Sequence, residues 1–154
     1  MFKILMTLLL LIGPLHAVNA NELLGSWYSS YRTLNNGTET IEKEYLTLSA
    51  NSTFKLIILV SLKKDLSFVK DLRIEVIGNW EAKGNTLIYV IKSVNVPSVK
   101  EVYQISQQSL DNLAANFKYR YENDKIHVNK ITSLEAKKLS LLSERGRETK
   151  YKRN

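Results

Sequence analysis

The side chains that could do chemistry in this 154-residue chain are few and scattered. It has two histidines, His16 and His127, and no cysteine, so the sequence predicts neither a histidine-rich metal site nor a thiol nucleophile. It contains no Gly-x-Ser-x-Gly sequence, and its glycines stand singly rather than in a phosphate-binding loop. We therefore expect a protein that is not an enzyme and that holds no metal or cofactor.

Two polar patterns remain to be interpreted. Glu39, Glu42 and Glu44 follow one another along a predicted strand, and we interpret them as a solvated face because no partner for acid–base work is indicated. His127 lies beside Val128 in an alternating run, which favours a strand surface or a hydrogen-bonded core position.

The tyrosines are the remaining candidates for ligand contact. A tyrosine offers an apolar ring and one hydroxyl that can orient a ligand, although tyrosine is also a good strand former in cores and on surfaces. The tyrosines that we consider are Tyr31, Tyr89, Tyr103, Tyr119 and Tyr121.

The first twenty residues have the three-part layout of a secretory signal peptide. Lys3 supplies a positive charge, an apolar run from Ile4 to Ile12 follows, and the small residues Val18 and Ala20 precede a cleavage point. The apolar run is too short to span a bilayer, and a buried N-terminal helix is the alternative. We expect residues 1–20 to be removed and residues 21–154 to be exported as one domain, to a periplasm or, alternatively, as a secreted product.

The formal net charge of +7 is spread along the chain. The densest basic group, between residues 145 and 153, is flanked by Glu144 and interrupted by Glu148. A nucleic-acid surface usually clusters its charges with aromatic side chains, so we expect no nucleic-acid partner. We expect solvated strand faces, at most weak contact with an anionic membrane surface, no transmembrane segment and a monomer.

Short alternating runs separated by turn residues predict an antiparallel all-β domain, either a barrel or a sandwich. The predicted strands are Leu23–Arg32, Glu44–Leu48, Phe54–Leu62, Leu72–Trp80, Thr86–Val94, Val99–Ile105, Ile126–Ile131, Lys138–Ser143 and Glu148–Arg153. One segment has helical spacing, and we predict a short helix over 107–115, capped by Ser106 and leading into a strand that contains Phe117, Tyr119 and Tyr121.

A weak internal repeat, Gly25-Ser26-Trp27 and Gly78-Asn79-Trp80, stands at the start and middle of the predicted domain, and the chain closes with a hairpin that ends in Tyr151-Lys152-Arg153. This series resembles the bacterial lipocalin-like domains over nearly all of residues 22–153. The resemblance implies a single antiparallel up-and-down β-barrel of about 8–10 strands, with the short helix near 107–115.

The resemblance also implies roles in barrel closure. Gly25 and Gly78 would let their strands bend, Trp27 and Trp80 would fill the narrow end, and Arg153 would lie over Trp27 in a cation–π contact.

In such a barrel the alternation assigns these residues to the interior: Leu46, Leu48, Phe54, Leu56, Ile58, Leu72, Ile74, Val76, Leu87, Tyr89, Ile91 and Tyr103. The leading hypothesis is an exported protein that binds a small hydrophobic or amphipathic molecule, such as a lipid, inside the barrel. The candidate ligand contacts are Tyr31, Phe54, Ile58, Ile74, Tyr89, Ile91 and Tyr103. The alternative is an envelope protein-interaction or inhibitor module with a solid core.

Overall fold

The computed structural model describes residues 17–154, so most of the predicted signal peptide lies outside the described residues. In chain order the elements are α1 (Ala20–Leu23), β1 (Gly25–Asn35), β2 (Thr38–Leu48), β3 (Thr53–Lys64), β4 (Ser67–Lys83), β5 (Thr86–Ser98), β6 (Glu101–Tyr103), α2 (Gln107–Glu122), β7 (Ile126–Glu135), β8 (Lys138–Ser143) and β9 (Glu148–Arg153).

Eight of these strands close into an antiparallel up-and-down barrel. Each of β1 to β4 pairs with the next strand, β5 pairs with β7, and β7 to β9 form a second meander. The ring closes where β9 pairs with β1, through Trp27 opposite Arg153 and Tyr28 opposite Lys152. The short strand β6 continues β5 in the same register along the start of β4, beyond the part of β5 that pairs with β7. The predicted all-β barrel with one short helix near its C-terminal third is confirmed.

The core lies inside this ring because each strand alternates apolar and polar side chains. On β2, Leu46 and Leu48 are 1% exposed, whereas Tyr45 and Thr47, which alternate with them, are half-buried on the outer side. Ile58 and Ile74 face each other across the β3–β4 pair and are fully buried. Eleven of the twelve residues that the alternation assigned to the interior are buried or half-buried on the inner face; Tyr103 is the exception.

The helix α2 is longer than predicted, and the predicted strand through Phe117, Tyr119 and Tyr121 does not form. Ser106 is the N-cap, since its Oγ accepts a hydrogen bond from the amide of Ser109, and the helix continues to Glu122. Phe117 is buried and Tyr121, four residues later, is half-buried, while Tyr119 is 66% exposed. The segment fits both the helical and the strand periodicity. Packing of its i, i+4 face against β4 and β5 favours the helix.

The predicted strand over Val99–Ile105 is reduced to the three residues of β6. Tyr103 lies on β6 opposite Phe68, and the two rings stack with centroids 5.8 Å apart. On β6 it is Val102 that pairs with the core residue Val69, so Tyr103 faces outward and is 51% exposed rather than an interior residue.

Candidate functional site

The barrel contains a cavity of about 350 Å³ that opens to solvent. Its wall on β3 to β5 is mainly apolar, whereas its wall on β2 and β7 to β9 carries polar side chains, and the end of α2 lies over it. The apolar and aromatic lining residues are Phe54, Leu56, Val76, Tyr89, Ile91, Tyr121, Leu141 and Tyr151; the polar ones are Glu44, Arg120, His127, Asn129, Ser143, Arg145, Arg147 and Thr149. Eight-stranded barrels have room for one small ligand, and this interior has not been filled completely by its own side chains.

A buried carboxylate is the most unusual feature of the cavity. Glu44 is 7% exposed and accepts a hydrogen bond from the hydroxyl of Tyr151. Its second oxygen accepts a hydrogen bond from Arg147 Nη2 at 2.9 Å, and Arg147 Nη1 lies 3.3 Å from Glu42. A buried charge requires such partners, so these four side chains form one connected unit, here called the Glu44 cluster.

The Glu44 cluster changes the proton affinity of its members. Burial raises the pKa of Glu44, and the hydrogen bond from Tyr151 and the charge of Arg147 offset that rise only in part. Burial alone would lower the pKa of Arg147, but the carboxylates of Glu44 and Glu42 outweigh it and raise that pKa. Burial, and then the charge of Glu44, raise the pKa of Tyr151 well above its usual range. Arg147 and Tyr151 therefore stay protonated as donors to Glu44.

Arg147 reaches the interior from the turn between β8 and β9. That turn lies beside the closure of the ring, where β1 and β9 diverge beyond Tyr28. The guanidinium of Arg147 lies 5.6 Å from the ring centroid of Tyr31 on β1. Arg147 thus lies at the gap between the two strands while it neutralises charge inside the barrel.

The hydroxyl of Tyr89 is a buried polar atom without a hydrogen-bond partner among residues 17–154. The Tyr89 ring packs against Phe54, with centroids 4.8 Å apart, and both side chains line the cavity. Burial, and then the charge of Glu44, raise the pKa of Tyr89 far above its usual value, so the hydroxyl stays protonated.

His127 and Tyr121 form the side of the cavity beneath α2. Their rings stack with centroids 5.7 Å apart, and His127 Nε2 lies 2.7 Å from the carbonyl oxygen of Asp124. Burial, and then the charges of Glu44 and Glu42, raise the pKa of Tyr121. His127 is thus a half-buried, hydrogen-bonded residue of a cavity wall, within the range of positions that the sequence predicted.

The seven predicted ligand contacts fall into three groups. Phe54, Tyr89 and Ile91 line the cavity together. Ile58 and Ile74 are completely buried in the core and lie outside the cavity lining. Tyr31 is 54% exposed at the strand gap beside Arg147, and Tyr103 lies on the outer surface. The structure therefore brings three of the seven together and places Tyr103 on the opposite side of the barrel wall.

The five residues assigned to barrel closure form two groups: Gly25 and Trp27 of β1 lie beside Arg153, whereas Gly78 and Trp80 lie on β4. The guanidinium of Arg153 lies 4.1 Å from the ring centroid of Trp27, the position that the resemblance implied. Gly25 has a φ of +112°, which a side chain would strain, and Gly78 lies at a β-bulge against Val90 of β5.

A hydrogen bond holds each of the two indoles in place. Trp27 Nε1 donates to the carbonyl of Leu23 at 2.8 Å, and Trp80 Nε1 donates to the carbonyl of Ser49 at 3.0 Å. Each indole therefore combines a buried ring with a satisfied N–H.

Sequence reasoning missed the Glu44 cluster. Glu42 and Glu44 were assigned to a solvated face, but they share the strand parity of Leu46 and Leu48 and therefore point into the barrel. That parity was visible in the sequence and could have identified them. The partnership with Arg147 could not have been found, because 103 residues separate it from Glu44.

Within residues 17–154, no group of three His, Cys, Asp or Glu side chains is placed to hold a metal ion. No helix in the same range is both long and apolar enough to cross a membrane. Comparison with models of known protein families, and separately with curated proteins, gave no match to this chain.

Proposed function

We propose that this barrel binds one small hydrophobic or amphipathic molecule in its interior, as a non-enzymatic lipocalin-like carrier. The observation that carries the proposal is the cavity of about 350 Å³, which is within the range of small-molecule sites. A barrel that acts only through its outer surface has no need of such a space.

The chemistry of the lining supports an amphipathic ligand. Phe54, Leu56 and Ile91 offer apolar surface on one side, and the Glu44 cluster offers fixed polar groups on the other. Ligand sites in proteins combine these two features: apolar walls supply most of the affinity, and a few polar groups set the orientation.

Export is part of the proposal. It rests on the predicted signal peptide, with a periplasmic location first and secretion second. The contacts that join the ends of the barrel begin at Glu22, whose carbonyl accepts a hydrogen bond from Arg153, so cleavage after Ala20 leaves them in place. It removes the hydrogen bond of the Val18 amide to the carbonyl of Gly84 and the two hydrogen bonds by which Asn19 caps α1, from the amides of Asn21 and Glu22.

Native mass spectrometry of the mature protein, purified from the envelope fraction of its own host, tests the proposal. The expected result is a mass excess of a few hundred daltons over residues 21–154 that disappears on organic extraction. A clean mass for residues 21–154, together with no binding of added apolar probes, would contradict a carrier function.

A second candidate is a protein-interaction module, and the hairpin tips favour it. Leu34 at the end of β1 is 77% exposed, and Leu66 in the β3–β4 turn is 71% exposed. Exposed apolar side chains at loop tips are candidate contacts for a partner protein. Affinity capture with the native protein and with Leu34→Asp and Leu66→Asp variants tests it, since a specific partner would be lost with either variant.

A further inference from the structure

Two arginines differ from the other four in having no carboxylate to pair with. Three of the six arginines form ion pairs with glutamates, and Arg153 donates to three backbone carbonyls. The two that remain, Arg120 and Arg145, form no ion pair within residues 17–154. Both of them line the cavity of the barrel. The guanidinium groups that the fold itself leaves without an anion are therefore those that a ligand of the cavity would meet.

Two elements that are distant in sequence bring these arginines to the mouth of the cavity. Arg120 lies near the end of α2, where its guanidinium is 5.0 Å from the ring centroid of Phe117. Arg145 lies in the β8–β9 turn, which is closed by the amide of Gly146 donating to the carbonyl of Ser143 at 2.9 Å. Both arginines are exposed, so their charges stand where the cavity opens to solvent and not inside the barrel.

The other charged groups of the cavity leave a positive excess at its mouth. Arg147 is paired with both Glu44 and Glu42, so these three side chains together carry at most one negative charge. That charge belongs to the interior, since Glu44 is 7% exposed. Arg120 and Arg145 add two positive charges at the opening. An anionic group is therefore attracted to the mouth, whereas a cationic group must pass two arginines to reach Glu44.

The two parts of the lining differ in the part of an amphiphile that they suit. A guanidinium group matches a carboxylate or a phosphate through parallel N–H donors, which favours these two anions at Arg120 and Arg145. An alkyl chain suits the opposite wall, on β3 to β5, where the lining side chains are Phe54, Leu56, Val76, Tyr89 and Ile91.

We propose that the ligand of this cavity is a single-chain amphiphile whose anionic headgroup, a carboxylate or a phosphate, is bound by Arg120 and Arg145 at the mouth. Its apolar chain lies against the wall on β3 to β5. This inference rests on the proposed carrier function and adds the charge of the ligand and the two residues that select it.

The test compares four probes of one chain length: decanoate, decyl phosphate, decan-1-ol and decylammonium. Equilibrium dialysis with the delipidated protein at pH 8 and low ionic strength measures each dissociation constant directly, with little screening of the exposed charges. We expect at least one of the two anions to bind about fivefold or more tightly than decan-1-ol, and decylammonium to bind most weakly. The tighter of the two anions distinguishes a fatty-acid headgroup from a lipid-phosphate headgroup.

A pair of double variants separates direct contact from overall charge. Arg120→Gln combined with Arg145→Gln should weaken the preferred anion by about fivefold to tenfold and leave decan-1-ol almost unchanged. Lys118→Gln combined with Lys138→Gln is the matched control. It removes the same total charge from the same two elements, at exposed positions on α2 and at the far end of β8 that do not line the cavity. We expect the control to bind all four probes as the wild type does.

The outcomes separate this inference from the proposed function. Binding of decan-1-ol or decylammonium as tightly as the better anion, an anion affinity unchanged in the arginine variant, an equal loss of decan-1-ol affinity in that variant, or an equal loss of anion affinity in the lysine control would each overturn the inference and leave a carrier function intact. Binding of none of the four probes would overturn the inference, and a clean native mass in addition would overturn the carrier function.

Discussion

At the scale of single residues, burial decides which charged side chains matter. The chain has 22 basic and 15 acidic residues, most of them exposed on strand faces, and their ion pairs contribute little to stability. Glu44 differs because it lies inside the barrel with Tyr151 and Arg147 as its donors. Its proton affinity is therefore set by the interior and not by solvent.

The raised pKa of Glu44 leads to a pH-dependence. The folded protein holds this proton more tightly than the unfolded chain, whose value is near 4.5, so ionisation of Glu44 lowers stability as the pH rises from about 4.5 through the raised pKa. We expect the free energy of unfolding of the wild type to fall over that range relative to Glu44→Gln. Urea denaturation at a series of pH values from 4 to 8 measures this, and a gain of the wild type over Glu44→Gln as the pH rises would contradict it.

We expect loss of the Trp27 side chain to lower the free energy of unfolding the most. Its side chain is fully buried, its N–H is satisfied by Leu23, and Arg153 covers its face. We expect Trp27→Ala to lower the free energy of unfolding by about 3–5 kcal/mol, in line with other core aromatics. Chemical denaturation measures the loss, with the exposed Tyr119→Ala as the control, and a loss below about 1 kcal/mol would remove the closing role of Trp27.

At the scale of the elements, the close approach of β4 and β5 at Gly78 explains a bend in β4 that the hydrophobic pattern alone does not predict. The β4–β5 pair changes register between Ile77 and Gly78, and a Cβ at Gly78 would lie 2.0 Å from the carbonyl oxygen of Val90. The glycine thus permits the bulge that bends β4 around the barrel.

Two glycine substitutions distinguish the effect of close contact between strands from the effect of turn geometry on stability. We expect Gly78→Ala to lower the free energy of unfolding by more than about 2 kcal/mol, because two strands must move apart. Gly84 lies in a hairpin with a φ of +61° and has open space around it. Gly84→Ala should therefore lower the free energy of unfolding by only about 1 kcal/mol. Denaturation of both variants checks the order, and equal losses would mean that the strands adjust freely at Gly78.

At the scale of the whole molecule, Arg153 joins the two ends of the described chain. Its guanidinium donates to the carbonyls of Leu24, Glu22 and Ala136 at 2.7–2.8 Å and lies over Trp27. These contacts connect α1, the start of β1 and the β7–β8 turn at the place where the ring closes through only two residue pairs. A planar side chain with several donors suits this position better than an ammonium group does.

We expect Arg153→Ala to lower the free energy of unfolding by about 2–4 kcal/mol, since three carbonyls lose a charged donor and Trp27 loses its cover. Arg153→Lys should recover less than half of that loss, because a lysine cannot reach all three carbonyls. Lys152→Ala, at the exposed neighbouring position, is the control. Thermal and urea denaturation measure the three variants, and full recovery by lysine would show that charge alone is sufficient.

The sequence by itself determined the all-β class, most of the inward-facing residues and the short helix after Ser106, because alternation and capping act over a few neighbouring residues. Tertiary structure decided the rest. It extended α2 to Glu122 because Phe117 and Tyr121 pack on the barrel, and it placed Tyr103 outside because β6 pairs Val102, and not Tyr103, with the inward-facing Val69. It also created the Glu44 cluster, since only closure of the barrel brings Arg147 to a carboxylate 103 residues away. The local alternation of residues determines on which face of a strand a side chain lies, whereas closure of the barrel determines which other side chains it contacts there.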